Sequence, residues 1–186
     1  MAGLGLTVGF PVLLATAIAV ALDSGRPILF RQLRVGLHGR QFRLIKFRTM
    51  VHDAEKQQLG LLWRNEINGH AFKVTDDPRV TRVGAVLRRS SLDELPQLWN
   101  VLRGEMSLIG PRPPLPAEVH EYDTWHRRRL SMKPGITGLW QIESRREPDF
   151  NRWVQKDLDY IDGWSLWLDT KIALKTLPAL LRTEGR

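Results

Sequence analysis

The chain has no cysteine, which excludes disulfides and thiolate metal sites and suits a reducing compartment. His38 and His52 have no companion at metal-ligand spacing, so both read as surface residues. No internal repeat or low-complexity linker divides the chain, and 186 residues make one domain with room for a hydrophobic core. Charge of either sign is missing from residues 1 to 22, and acid is missing between Arg26 and Arg48. What the chain has in excess is base. The net charge is +8 and the pI is near 10.4, so the partners are expected to be anionic: nucleic acid, phospholipid headgroups or nucleotide substrates. No recognisable nucleic-acid-binding motif accompanies the charge, so a nucleic acid is not the expected partner.

The uncharged stretch, MAGLGLTVGFPVLLATAIAVAL, would extend ~33 Å as a straight helix, enough for a hydrocarbon core of ~30 Å. A signal peptide is a poor reading, because no Lys or Arg precedes the apolar run. A spanning helix is the default, but Pro11 removes a backbone donor and is expected to break the helix midway, which allows a dip into the membrane and a return. The basic stretch that follows holds seven Lys or Arg (Arg26, Arg31, Arg34, Arg40, Arg43, Lys46, Arg48), which keeps the next segment cytoplasmic by the positive-inside rule. That rule does not separate a re-entrant from a spanning segment.

Two short strands are predicted, Ile28 to Val35 and Gln41 to Arg48, around Gly36-Leu-His-Gly39. Period-two alternation puts Lys46 and Arg48 on one face, where they could meet a phosphate together or simply rest on headgroups. Met50 to Asn68 is predicted helical and Gly69 to Asp77 a loop.

The central stretch is Ser90 to Pro113, SSLDELPQLWNVLRGEMSLIGPRP. Ser91-x-x-Glu94 fits a capping box and Pro96 belongs in a first helical turn, so Asp93 and Glu94 are expected at a helix N-terminus, where a carboxylate, a phosphate or a bridging metal ion is favoured. Helix capping alone would use the same residues. Arg79, Arg82, Arg88 and Arg89 stand just upstream, and Arg112 follows in Gly110-Pro-Arg-Pro113. Acids flanked by arginines suit Mg²⁺-assisted phosphoryl chemistry, although surface salt bridges would draw on the same side chains.

The run DPRVTRVGAVLRRSSLDELPQLWNVLRGEMSLIGPRP, with KPGITGLWQI at Lys133 to Ile142 and LDSGRPILFRQLRVGLHGRQFRLIKFRTM at Leu22 to Met50, resembles the catalytic domain of the bacterial sugar transferases. These are the monotopic polyprenyl-phosphate sugar-1-phosphate transferases that begin capsule, O-antigen and exopolysaccharide assembly. The resemblance implies an α+β fold, mainly helical, with a re-entrant membrane helix, a short β-hairpin and amphipathic interfacial helices. It implies residues 1–22 in the membrane and 23–186 as a catalytic domain on the cytoplasmic face of the bacterial inner membrane. Members normally begin with a basic stretch before the apolar segment, so this chain is expected to be a minimal member or a truncated catalytic domain. The implied reaction moves a sugar-1-phosphate from a UDP-sugar to polyprenyl phosphate with loss of UMP. Asp93 would be the nucleophile, and Glu94 a metal-binding or orienting group. Mg²⁺ would lie on Asp93 and Glu94, and Lys46, Arg48, Arg79, Arg88, Arg112 and Lys133 would contact substrate phosphates. Implied partners are the two substrates and an anionic phospholipid membrane, and a homodimer is left open. GLWQ is similar to the hexose-using branch, but where that branch continues Ser-Gly-Arg this chain has Glu143-Ser-Arg-Arg146. A non-catalytic scaffold of a polysaccharide assembly complex is the competing reading.

Towards the C-terminus, Leu115 to Leu130 is predicted as one helix. In Leu166 to Arg182, residues Ala173, Leu174, Leu177, Leu180 and Leu181 fall in one arc with Lys171, Lys175 and Arg182 away from it. Such a helix completes a core or lies at a membrane surface, and Trp153, Trp164 and Trp167 favour the surface.

Overall fold

The computed structural model describes residues 9–69, 72–144 and 147–181, with main chain alone over 177–181. Its first helix, α1 (Phe10–Ser24), is unbroken, and Pro11 sits in its first turn, where the missing N–H costs nothing. The expected break at Pro11 therefore coincides with a helix start, and residues 1–8 lie outside the described residues. Among the described residues no helix is long and apolar enough to cross a membrane. One stripe of α1 is buried: Val20, with Leu13 and Ala17, packs against Phe47, Leu87, Ile28, Val83 and Leu92. The opposite stripe, Phe10, Leu14, Ile18 and Leu22, repeats every four residues and is exposed, Leu22 by 84%.

Strands β1 (Leu29–Val35) and β2 (Gln41–Phe47) form the antiparallel hairpin that the alternation predicts, in register from Leu29 opposite Phe47 to Val35 opposite Gln41. His38 and Gly39 turn the chain with φ of 54° and 79°. Met50 to Asn68 is not the predicted helix. It is a chain of turns, with a left-handed φ of 59° at Asp53 and a 3-10 segment, Leu59–Arg64, and the Asn65 side chain holds the far end as a loop. Its oxygen accepts from the N–H groups of Ile67 and Lys73 and its amide donates to Ile67 O, a loop bonding pattern that competes with a helix.

Helix α2 (Arg82–Ser90) starts on Thr81, whose Oγ1 accepts from Gly84 N at 3.0 Å, and a Cβ on Gly84 would run into the Thr49 carbonyl. Glycine thus lets α2 lie directly on the chain leaving β2. Helix α3 (Gln97–Leu102) follows, then the three-residue strand β3 (Ser107–Ile109). The predicted helix over Leu115–Leu130 is broken into α4 (Pro116–His120), α5 (Thr124–Arg127) and a 3-10 turn. The first of these closes on Glu121, and Asp123, a favoured N-cap residue, opens the next. Strand β4 (Gly135–Thr137) then pairs parallel with β3, Ser107 opposite Gly135 and Ile109 opposite Thr137. A side chain on Gly110 or Gly135 would strike the other segment's backbone, so the Gly-Pro-Arg-Pro and Lys-Pro-Gly loops meet main chain to main chain.

After α6 (Leu139–Glu143) come α7 (Phe150–Asp162) and α8 (Leu166–Leu181). The former carries the largest core, Phe150, Trp153, Val154 and Leu158 with Ile67 and Tyr122. Trp153, expected near lipid, is buried there against Trp140 with ring centroids 5.0 Å apart. Trp164 and Trp167 are exposed. In α8 the inward face is Asp169, Ile172 and Thr176: Tyr160 donates to Asp169 at 2.7 Å, and Thr176 pairs with Thr137. Leu166, Trp167, Ala173 and Leu174 are exposed, so this part of the apolar arc is unburied; the side chains of its remaining members, Leu177, Leu180 and Leu181, lie outside the description.

Candidate active site

The acid pair lies in the first turn of a short 3-10 helix that starts on Ser91, not in an α-helix. Ser91 adopts a left-handed conformation, φ 52°, as the C-cap of α2, and makes no side-chain capping bond, so the expected capping box is absent. Leu92–Glu94 form a 3-10 turn, and α3 begins only after Pro96. The carboxylates thus occupy the joint between two helices. Asp93 is buried and Glu94 partly so, and both face a cavity of about 530 Å³ whose wall also carries Lys46, Asp77, Arg88 and Arg89.

Lys46 reaches that cavity from β2. Burial lowers its pKa, with Arg88 and Arg34 adding to the effect while Asp93 and Glu94 oppose it. The strand is held to the acid-bearing joint by Asn100 on α3, fully buried. Its amide oxygen accepts from Ile45 N at 3.1 Å, and its nitrogen donates to Arg43 O at 2.8 Å and Glu105 Oε2 at 2.7 Å. Asn100 went unnoticed in the sequence, where nothing marks a polar residue inside an amphipathic helix as a cross-link.

A second cavity, about 410 Å³, adjoins the first, and Lys46 and Arg88 line both. Its wall includes Arg34, Arg48, Arg79, Arg112 and Glu118. The cations differ in how they are occupied. Arg79 is buried and forked onto Asp77, at 2.9 and 2.6 Å, and donates to Ala54 O. Arg48 donates to Ser24 O, Ser24 Oγ and Gly25 O at 2.5, 3.0 and 2.7 Å, which clasps the carbonyl end of α1 to the hairpin. These two guanidiniums brace the walls. Arg88 donates to Thr49 Oγ1 at 2.9 Å, and burial lowers its pKa against the pull of Asp93. Arg112 is ion-paired with Glu118 at 2.9 Å. Burial works to raise the Glu118 carboxyl, but Arg112, helped by Arg34, outweighs it and holds the group below its usual range. Lys133 is exposed and lines neither cavity; Arg145 and Arg146 lie outside the described residues.

Of the residues singled out in the sequence, the fold therefore brings Asp93, Glu94, Lys46 and Arg88 to one cavity and Arg48, Arg79 and Arg112 to its neighbour. Arg34 and Glu118 were missed. Period two puts Arg34 on the same face as Gln32, a signal that was available. As for a metal, no group of three or more His, Cys, Asp or Glu suited to one occurs among the described residues. Two neighbouring carboxylates facing a cationic cavity fit Mg²⁺, which takes one or two protein carboxylates and completes its shell with water and phosphate oxygens.

Carboxylates facing one cavity beside Lys46 and Arg88, which also line its neighbour, make a site suited to phosphate-bearing substrates. The chain belongs to the bacterial sugar transferase family, whose model matches residues 1–183. It is 51% identical over 87% of its length to the galactosyl transferase CpsE of Streptococcus agalactiae, covering 36% of that protein. With the undecaprenyl-phosphate galactose phosphotransferase of Salmonella typhimurium the identity is 40%, over 97% of this chain and 38% of the relative. With the UDP-glucose:undecaprenyl-phosphate glucose-1-phosphate transferase of Caulobacter vibrioides it is 42%, over 94% of this chain and 64% of the relative. The chain thus spans between about a third and two thirds of these relatives.

Proposed function

We propose that the protein transfers a hexose-1-phosphate from a UDP-sugar to polyprenyl phosphate, the first membrane step of a bacterial surface polysaccharide. The observation that carries this reading is the placing of Asp93 and Glu94 on one cavity wall with Lys46 and Arg88. The names of the relatives supply the substrate classes.

The chemistry follows from that wall. An oxygen of the Asp93 carboxylate attacks the sugar-bearing phosphorus, the bond from that phosphorus to the bridging oxygen breaks, and UMP leaves with the electron pair. An oxygen of polyprenyl phosphate then attacks the phosphorus of the aspartyl phosphosugar. The acyl–phosphate bond breaks, Asp93 returns as a carboxylate, and the lipid carries a diphosphate-linked sugar. Each step brings two anions together, and Lys46 and Arg88 offset that repulsion from the same cavity wall. Glu94 orients the reacting groups. Mg²⁺ held by Asp93 and Glu94 would supply further charge neutralisation at the phosphates.

The outward apolar faces of α1 and α8, with Val86 exposed on α2, support a place on a membrane surface, and the acid-free basic stretch from Arg26 to Arg48 supports an anionic inner membrane with the catalytic domain facing the cytoplasm. The test is UMP release from a panel of UDP-sugars with Mg²⁺, polyprenyl phosphate and detergent. Release with one sugar, lost in Asp93→Asn, supports the reading and names the donor. A folded Asp93→Asn protein that releases UMP at the parent's rate would rule out Asp93 as the nucleophile.

A further inference from the structure

We propose that Arg34, together with Arg112, forms a second phosphate subsite in the cavity on the far side of Lys46 from the acid pair. The inference rests on the transferase reading for its ligand class and on the geometry of Arg34 for its place. Arg34 is partly buried, and all its hydrogen bonds go to neutral acceptors. Nε and Nη2 donate to Gln32 Oε1 at 3.1 and 2.6 Å, and Nη1 donates to Pro113 O at 2.8 Å. No carboxylate forms an ion pair with it among the described residues. The nearby acid, Glu118, is bonded to Arg112 and also accepts from Leu115 N. Two guanidiniums therefore share one carboxylate, and Lys46 and Arg88, on the same wall, are likewise without an ion pair among the described residues.

A buried charge without a counter-charge is strongly unfavourable, and here burial first and Arg112 second pull the Arg34 pKa down to about 9. An incoming phosphate removes that conflict. The bonds to Gln32 and Pro113 fix the plane of the guanidinium and leave further N–H groups for phosphate oxygens, the two-pronged geometry in which arginine excels. Through Pro113 O the same side chain also ties β1 to the loop that carries Arg112, so the two cations are positioned as a unit. The cavity is also lined by Pro27 and Phe30, just beyond the end of α1. A phosphate monoester is the ligand, whether it belongs to the lipid or to the nucleotide.

The test uses the full chain as parent, Arg34→Gln and Arg34→Lys. Affinities for inorganic phosphate, UMP and a short-chain polyprenyl phosphate are measured in detergent, beside the KM for each substrate in turnover. The expected result is that Arg34→Gln weakens inorganic phosphate and one of the two esters at least tenfold with kcat little changed, and that Arg34→Lys recovers part of the loss. The ester affected identifies the source of the phosphate. Parent-like affinities for all three in Arg34→Gln overturn the proposal, as does an equal loss for all ligands that lysine fails to rescue in a protein that melts early. A parent that binds phosphate through Arg34 yet releases no UMP keeps the subsite and sinks the transferase reading. A parent that transfers sugar while Arg34→Gln behaves identically does the reverse.

Discussion

At the scale of the residue, the buried charges divide into those that hold the frame and those that face the cavities. The Arg129–Asp157 pair belongs to the frame. Both side chains are almost wholly enclosed, Arg129 donates to Asp157 Oδ2 at 2.8 and 2.5 Å and to Tyr122 Oη at 2.8 Å, and its Nη2 reaches Arg112 O at 3.4 Å. Removing one partner leaves the other charge buried alone, so Arg129→Met is expected to cost about 3–5 kcal/mol, read from chemical denaturation. Burial, opposed by Arg129, pushes the Asp157 carboxyl up to about 6. A raised carboxyl pKa favours the folded state most when the group is protonated in it, so this contribution is present below pH ~4 and is lost as pH rises through about 6. The stability advantage of the parent over Asp157→Asn should therefore shrink between pH 5 and pH 7. An advantage that grows over that interval would show that the carboxyl is not raised. Glu118 and Asp77, both lowered, act in the opposite sense and at lower pH.

At the scale of the element, the site depends on how β2 is fixed to the α2–α3 joint, and Asn100 is that link. Asn100→Leu keeps the branched outline but leaves Ile45 N and Arg43 O without their side-chain partner, at a cost of about 1–3 kcal/mol for the unsatisfied groups. Thermal unfolding should show the loss, and UMP release should fall further than stability does, because Lys46 would no longer be held opposite Asp93. The hairpin was legible in the sequence because its alternation and its glycine-flanked turn point the same way. The helices predicted over Met50–Asn68 and Leu115–Leu130 were not, since apolar periodicity does not register the left-handed turn at Asp53, the loop bonds of Asn65 or the bond from Asp123 N to the His126 ring. The site was legible in its residue types and less so in its wiring. Period two placed Lys46 with Arg48, but it carries no information on acceptors, and Arg48 turned out to clasp the end of α1 while Arg79 closed on Asp77. Those acceptors come from segments that are near only once the chain has folded.

At the scale of the whole molecule, α1 packs on α2 and α2 on α8, so three helices present their outer faces in succession. Phe10, Leu14, Ile18 and Leu22 stand out from α1, Val86 from α2, and Leu166, Trp167 and Leu174 from α8. Lysine lies at the edge of this surface, with Lys171 Nζ 5.2 Å from the Trp167 ring centre, an arrangement that lets a ring sit at headgroup depth beside a lipid phosphate. The clasp from Arg48 to the carbonyl end of α1 fixes this surface relative to the cavities. A hydrocarbon environment is worth about 1.5–3 kcal/mol for a leucine or isoleucine side chain taken fully out of water. Replacing Leu14 and Ile18 together by Ser should therefore lower partition into anionic vesicles by at least tenfold in a flotation assay, with the fold intact by circular dichroism because neither side chain is in the core. Substituting Leu13, on the inner stripe, should instead lower stability. If both changes lowered stability and neither altered vesicle binding, the exposed stripe of α1 would be a protein contact, and the membrane placement proposed for it would fail.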